Sequence, residues 1–161
     1  MFVTLKVINT APMYKLNLPV AQFKYQNRDN KVEIFDAIRK RFVALTPEEW
    51  VRQNFVHYLI YHKGYPPSLM HLESPLTYDN LDKRSDIMVY SREGKPKVIV
   101  ECKSPHIPIA QETFDQIARY NFNSKVRFLI VTNGINHYCC QMNYQENTYV
   151  FVDNIPIYKE L

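Results

Sequence analysis

The sequence predicts an α/β domain, a mixed β-sheet flanked by helices with extra β elements at the N-terminus. Three observations carry that expectation. A capped helix start stands at Thr46-Pro47-Glu48-Glu49, a strand–turn–strand pattern runs from Ile87 to Val100, and an amphipathic helix from Ala110 to Phe122 directly precedes an apolar strand from Val126 to Thr132. Strand, helix, strand in that order implies a parallel crossover, right-handed in nearly all proteins.

Taken in order, Met1 to Thr10 reads as an opening strand. The polar cluster Asn27-Arg28-Asp29-Asn30 separates two β-rich stretches, Val20 to Tyr25 and Lys31 to Phe35, as a hairpin turn would. Thr46 is the N-cap, Pro47 occupies the first helical position, and Glu49 stands where a capping box needs it. The helix should reach about Tyr61, with Val51, Phe55, Tyr58 and Leu59 forming an apolar stripe, before Gly64 and Pro66 stop it. Leu72 to Tyr78 fits a strand. Ile87–Tyr90 and Val98–Val100 fit strands around the turn Arg92-Glu93-Gly94-Lys95. Phe114, Ile117, Ala118 and Phe122 share one helical face, and His137 to Met142 and Thr148 to Val152 read as antiparallel strands closing the sheet.

A length of 161 residues suits a single domain over 1–161, with about 1–35 as an N-terminal β extension and about 46–157 as the core. Hydrophobic residues make up 46% and charged residues 22%, ordinary globular values. No uncharged apolar run could span a bilayer, and the N-terminus lacks a secretory pattern, so a cytoplasmic location is expected. The three cysteines are odd in number and have no zinc-site spacing, which predicts reduced thiols. A net charge of +4 permits nucleic-acid binding, and basic residues collect at Arg39-Lys40-Arg41, Lys83-Arg84 and Lys95 with Lys97. The five histidines are scattered and are assigned no site role.

The chemistry concentrates at Glu101-Cys102-Lys103, at the end of an apolar strand. Side chains alternate along a strand, so Glu101 and Lys103 share one face and Cys102 points to the other. A turn centred between Glu93 and Gly94 sets Asp86 directly opposite Glu101. Opposed residues have Cβ atoms about 5 Å apart. Two carboxylates at that distance repel by about 3 kcal/mol at an effective dielectric of 20, which calls for a cation. Mg²⁺ suits hard oxygens and uses one or two carboxylates plus phosphate oxygens, with Mn²⁺ as a substitute. Lys103 could orient an attacking water and stabilise charge on a phosphate. The bland alternative is a solvated Glu–Lys pair with Asp86 capping a turn. On the next helix, Gln116 and Tyr120 stand one turn apart, off the apolar stripe.

Asp86, then Glu101-x-Lys103, then Gln116-x-x-x-Tyr120 resembles the PD-(D/E)xK nuclease superfamily, specifically the N-terminal nuclease domain of type I restriction enzyme restriction subunits. Supporting words are Pro47-Glu48-Glu49-Trp50-Val51-Arg52-Gln53, Lys83-Arg84-Ser85-Asp86-Ile87 and Phe114-Asp115-Gln116-Ile117-Ala118-Arg119-Tyr120-Asn121, and the similarity spans about residues 32 to 157. The resemblance implies a restriction-endonuclease-like fold and an endonuclease that uses Mg²⁺. Asp86 and Glu101 would be metal ligands, the Cys102 backbone carbonyl a further ligand, and Lys103 catalytic. Gln116 and Tyr120 would lie beside the site and help bind DNA, and Glu48 would bring a carboxylate from the first helix while Glu49 points elsewhere. Ser85 stands where the family often has Pro.

DNA and other restriction-modification subunits are the implied partners, without a membrane. Cutting both strands needs a homodimer or successive nicks. No phosphate-binding Gly-x-x-x-x-Gly-Lys-[Ser/Thr] loop is present, so cleavage would be ATP-independent. Met1 suggests a complete small protein. The rival class is a module on the same fold that binds DNA or a partner and cuts little alone.

Overall fold

The structure is a computed structural model that describes residues 14–76 and 83–161, with the side chains of 74–76, 83 and 120 outside the description. The expected strand over Met1 to Thr10 lies outside those residues. β1 (Tyr25–Arg28), β2 (Lys31–Asp36) and β3 (Arg41–Ala44) form an antiparallel meander in that order. The β1–β2 turn is Asp29-Asn30, at φ 48° and 61°. Asn and Asp tolerate this left-handed pair, and it matches the twist of a hairpin. The polar cluster expected as a turn supplies that turn and also the last ladder residues: Asn27 pairs with Val32 and Arg28 with Lys31, while Val20 to Phe23 stay outside the sheet. β3 is additional to the sequence expectation.

α1 (Pro47–Lys63) runs two residues past the expected end. It is closed by Gly64 at φ 70°, whose N–H bonds the Leu59 carbonyl. A six-stranded sheet follows in the order β4 (Met70–Leu76), β5 (Lys83–Tyr90), β6 (Pro96–Cys102), β7 (Phe128–Thr132), β8 (His137–Asn143) and β9 (Thr148–Val152). All its ladders are antiparallel except β6–β7, which is parallel because α2 (Gln111–Asn121) carries the chain back across the sheet. Beyond Leu76, the expected strand to Tyr78 falls outside the described residues.

The pleat sorts β5, β6 and β7 into two cores. Ile87, Val89, Val98, Val100, Cys102 and Ile130 pack with Val51, Phe55 and Leu59 of α1. Met88, Ile99, Leu129 and Val131 pack with Phe114, Ile117 and Ala118 of α2. Every residue of β7 is buried, as expected for a strand covered on both faces, and each large side chain contributes roughly 1.5–3 kcal/mol. Ahead of the meander the chain crosses α1: Asn17 N–H donates to the Gly134 carbonyl at 2.7 Å and Trp50 Nε1 to that of Tyr14 at 3.0 Å. No helix among the described residues is long and apolar enough to cross a membrane. The three cysteines are free and buried.

Candidate active site

The register of β5 against β6 positions the central carboxylates. Ile87 faces Val100, Met88 faces Ile99 and Val89 faces Val98, the register expected from a turn centred between Glu93 and Gly94, and a bulge then shifts Tyr90 onto Pro96. The ladder stops at Ile87–Val100, yet β5 stays paired with β4 down to Lys83, and β6 stays paired with β7 up to Cys102. β5 and β6 therefore part where Asp86 and Glu101 stand. Alternation gives Asp86 the parity of Met88 and Glu101 that of Ile99, yet the Asp86 carboxylate is bonded by Arg52 of α1, the helix on the other face of the sheet. In the opening between the strands, Asp86 Oδ2 accepts from the Cys102 backbone N–H at 2.7 Å, a donor the interrupted ladder leaves available. Glu101 is buried, and Lys103 is half-buried with its N–H bonded to the Thr132 carbonyl at 2.8 Å.

α1 reaches the same place with its N-terminal turn. Thr46 Oγ1 accepts from Glu49 N–H at 3.0 Å, but the Glu49 side chain does not return to close a capping box. It is buried instead, bonded by Arg39 Nη2 at 2.6 Å, by Gln53 Nε2 at 2.8 Å and by Arg52 Nη1. Arg52 Nη2 donates to Asp86 Oδ1 at 2.6 Å and lies 3.5 Å from Glu48. Arg39 extends the network to Asp36 and, at 2.8 Å, to Glu73. Two guanidinium groups thus serve five carboxylates: Asp36, Glu48, Glu49, Glu73 and Asp86.

The electrostatics follow from this imbalance. Burial and the neighbouring Asp86 push the Glu48 carboxyl up, and Arg52 and Lys103 offset them in part. Glu48, Asp86 and Lys103 therefore share one field. Burial alone would raise Asp36 and lower Arg52. Hydrogen bonds from Arg39 and Gln53 hold Asp36 below the usual carboxylate range, and Asp86 and Glu49 hold Arg52 firmly protonated. Burial, then Asp86, keeps the Cys102 thiol protonated.

Mg²⁺ fits these donors in chemistry: Asp86 has one hydrogen bond on each oxygen and keeps lone pairs free on both. Among the described residues no three His, Cys, Asp or Glu side chains gather into a metal cage.

A sequence model of the type I restriction enzyme R protein N terminus matches residues 47–156, more than half of the chain. The chain belongs to this family. Among solved structures, the type I R protein N-terminal domain described here is similar to a fragment assigned as an HsdR subunit of a type I restriction enzyme from Vibrio vulnificus YJ016. The TM-score is 0.53 at 20% identity, over 73% of this chain and 24% of that one. The domain thus spans about a quarter of that longer chain and has a restriction-endonuclease-like fold. No curated protein is significantly similar in sequence.

Within this R protein N-terminal domain the sequence-predicted residues divide into three groups. Asp86 and Lys103 both act on Glu48, and Glu101 is buried next to Cys102 at the end of β6. Glu48 sits at the rim with 42% of its side chain exposed. Gln116 is exposed on α2, and the side chain of Tyr120 lies outside the description. Two expectations are corrected. Glu49 points into the cluster rather than away from it, because Arg39 and Arg52 outcompete the helix cap for its carboxylate. Arg39 is an internal ion-pair partner, so the run Arg39-Lys40-Arg41 does not present three cations to a nucleic acid. Asp36 and Glu73 have no counterpart among the sequence-predicted residues, and Arg39, Arg52 and Gln53 stand there only in a basic run and in the words of the resemblance, without a site role. The available signal was Glu49, Arg52 and Gln53 at helical i, i+3, i+4 spacing, a polar stripe beside the apolar one.

Proposed function

We propose that the domain is a Mg²⁺-dependent, ATP-independent DNA endonuclease that hydrolyses phosphodiester bonds around Asp86, Glu101 and Lys103. The observation that carries this reading is the parting of β5 from β6 where Asp86 and Glu101 stand, with the Asp86 carboxylate held in the opening by the Cys102 N–H. When bound, Mg²⁺ would offset the repulsion of the paired carboxylates and polarise the scissile phosphate. Asp86 and Glu101 would hold it, with the Cys102 carbonyl as a further oxygen. Arg52 and the Cys102 N–H fix the Asp86 carboxylate from two sides, which pre-sets its remaining lone pairs. Lys103 donates to the attacking water or to the phosphate oxygen on which charge builds. Glu48 extends the acidic rim, and Gln116 and Tyr120 flank the DNA. Other restriction-modification subunits are the natural assembly partners.

Purified protein is incubated with supercoiled plasmid and Mg²⁺ or Mn²⁺, without ATP, beside Lys103→Ala and Asp86→Ala. Lys103→Ala is the cleaner variant, because Asp86 also bonds Arg52 and β6. Metal-dependent nicking by wild type and its loss in both variants is the expected result. Wild type that binds DNA with a steep salt dependence yet never cuts would be a binding module instead.

A further inference from the structure

Four basic side chains line one cavity at the end of the sheet remote from Lys103. Lys95, Lys97, Lys125 and Arg127 surround about 400 Å³, completed by Pro96, Met142 and Tyr144. Backbone pairing assembles them: the Lys97 carbonyl accepts from Arg127 N–H at 3.0 Å, and the Arg127 carbonyl from Met142 N–H at 3.0 Å, so three adjacent strands converge there. Lys125 takes a left-handed conformation at φ 50°, where glycine or asparagine would be less strained. The Arg127 guanidinium is anchored by the Glu160 carbonyl at 3.1 Å and lies over the Phe128 ring.

Among the described residues no carboxylate lines the cavity. Glu93, on the neighbouring turn, feels Lys97 and Lys95 but stays outside it. Like charges on adjacent strands are destabilising, and four cations around one concavity are relieved by an anion.

Alternation then links the cavity to the candidate active site. Lys97, Ile99, Glu101 and Lys103 share one parity along β6, and Ile99 packs against α2 together with Met142. Six residues of strand separate Lys97 from Lys103, about 20 Å. That distance is about six phosphate steps along one strand of DNA at 3.4 Å each. Across the same face, α2 exposes Gln116 and Arg119. We infer that this cavity binds backbone phosphates of the same DNA duplex whose scissile phosphate lies at Lys103. It would add affinity and orientation without touching the reacting atoms.

This inference rests on the DNA reading of the site, and its test separates the two. Binding of a fluorescent duplex long enough to span both ends of the sheet is followed by anisotropy in EDTA across a salt series. Wild type is compared with the double variant Lys97→Ala/Lys125→Ala. The double variant should bind about 50-fold more weakly at about 0.1 M salt, with a log–log salt slope smaller by about 2. Equal affinity and slope for the two proteins would overturn the inference even if wild type nicks plasmid. A loss of phosphate-induced thermal stabilisation in the double variant, with DNA binding untouched, would also overturn it, because the cavity would then hold a free anion. Weakened binding in the variant while wild type never nicks would uphold the cavity and remove only the hydrolytic reading.

Discussion

Replacing Arg52 by Gln should both destabilise the fold and make its stability depend on divalent cations. The guanidinium is 6% exposed and bonds Asp86 and Glu49, whose side chains are 15% and 8% exposed. Removing one partner of a buried ion pair typically costs about 3–5 kcal/mol, because the charges left behind are desolvated and uncompensated. The half-exposed Glu48 adds little, since solvent screens it. For a domain of this size each kcal/mol moves the melting temperature by about 2–4 °C, so a fall of about 6–20 °C is expected. Arg52→Lys keeps the charge but loses the fork that bonds two carboxylates together, and should lie between. With Arg52 absent, Asp86 retains only the Cys102 N–H, and a divalent cation becomes its natural counter-charge. Mg²⁺ at about ten times its dissociation constant would restore about 1.4 kcal/mol. Melting followed by far-ultraviolet circular dichroism, with EDTA or Mg²⁺, reads both effects. A variant melting within 2 °C of wild type, with no greater response to Mg²⁺, would refute the claim that Arg52 neutralises this cluster.

Arg39→Gln should enlarge the Mg²⁺-dependent thermal shift without touching Asp86. Glu49 would then draw Arg52 more strongly and loosen its hold on Asp86, so an unchanged shift would count against the relay. Gly134→Ala should cost about 1–2 kcal/mol, because φ is 82° and a Cβ would lie 2.7 Å from the Leu16 Cδ2 and 3.1 Å from the Val51 Cγ2; urea titration checks it. Stability should also decline with acid in two steps. His137 is depressed by burial, so the native state binds fewer protons than the unfolded chain and stability falls as pH drops below about 6.5. Asp36 is held low by Arg39 and Gln53 against the effect of its burial, so its contribution is present above about pH 3.9 and is lost as pH falls through the lower native value. Urea midpoints from pH 8 to pH 3 test this, and His137→Gln should shrink the upper step without moving the lower one, the remainder coming from His57, which burial and His62 also lower.

Local signals made much of the fold legible. Thr46-Pro47 and Gly64 bounded α1, because caps act through the nearest backbone groups. The Glu93-Gly94 turn fixed the β5–β6 register from Ile87–Val100 to Val89–Val98, because antiparallel pairing propagates from its turn. The polar ladder of β1 escaped notice, since its residues pair with β2 at an exposed edge and need no apolar alternation. Glu49 was misread for a related reason. Capping-box spacing is local, whereas the ion pair that overrides it comes from Arg39, ten residues earlier and brought back by β3. A helix buried on two sides loses the simple amphipathic pattern: Val51, Phe55 and Leu59 face the large sheet, while Glu49, Arg52 and Gln53 are equally buried among charges.

The match of the family model begins at residue 47, but the electrostatics of the site begin earlier. Asp36 accepts from the backbone of Ile38 and Arg39, from the Arg39 guanidinium and from Gln53, and Arg39 in turn bonds Glu49 and Glu73. By sharing Glu49 with Arg39, Arg52 keeps its second nitrogen for Asp86. Without the meander, Glu49 would have only α1 partners, Arg52 and Gln53, and the counter-charge on Asp86 would weaken. Residues 25–44 are therefore part of the candidate site's electrostatic frame rather than an appendage to it. A boundary drawn at the start of α1 would divide one ion network in two.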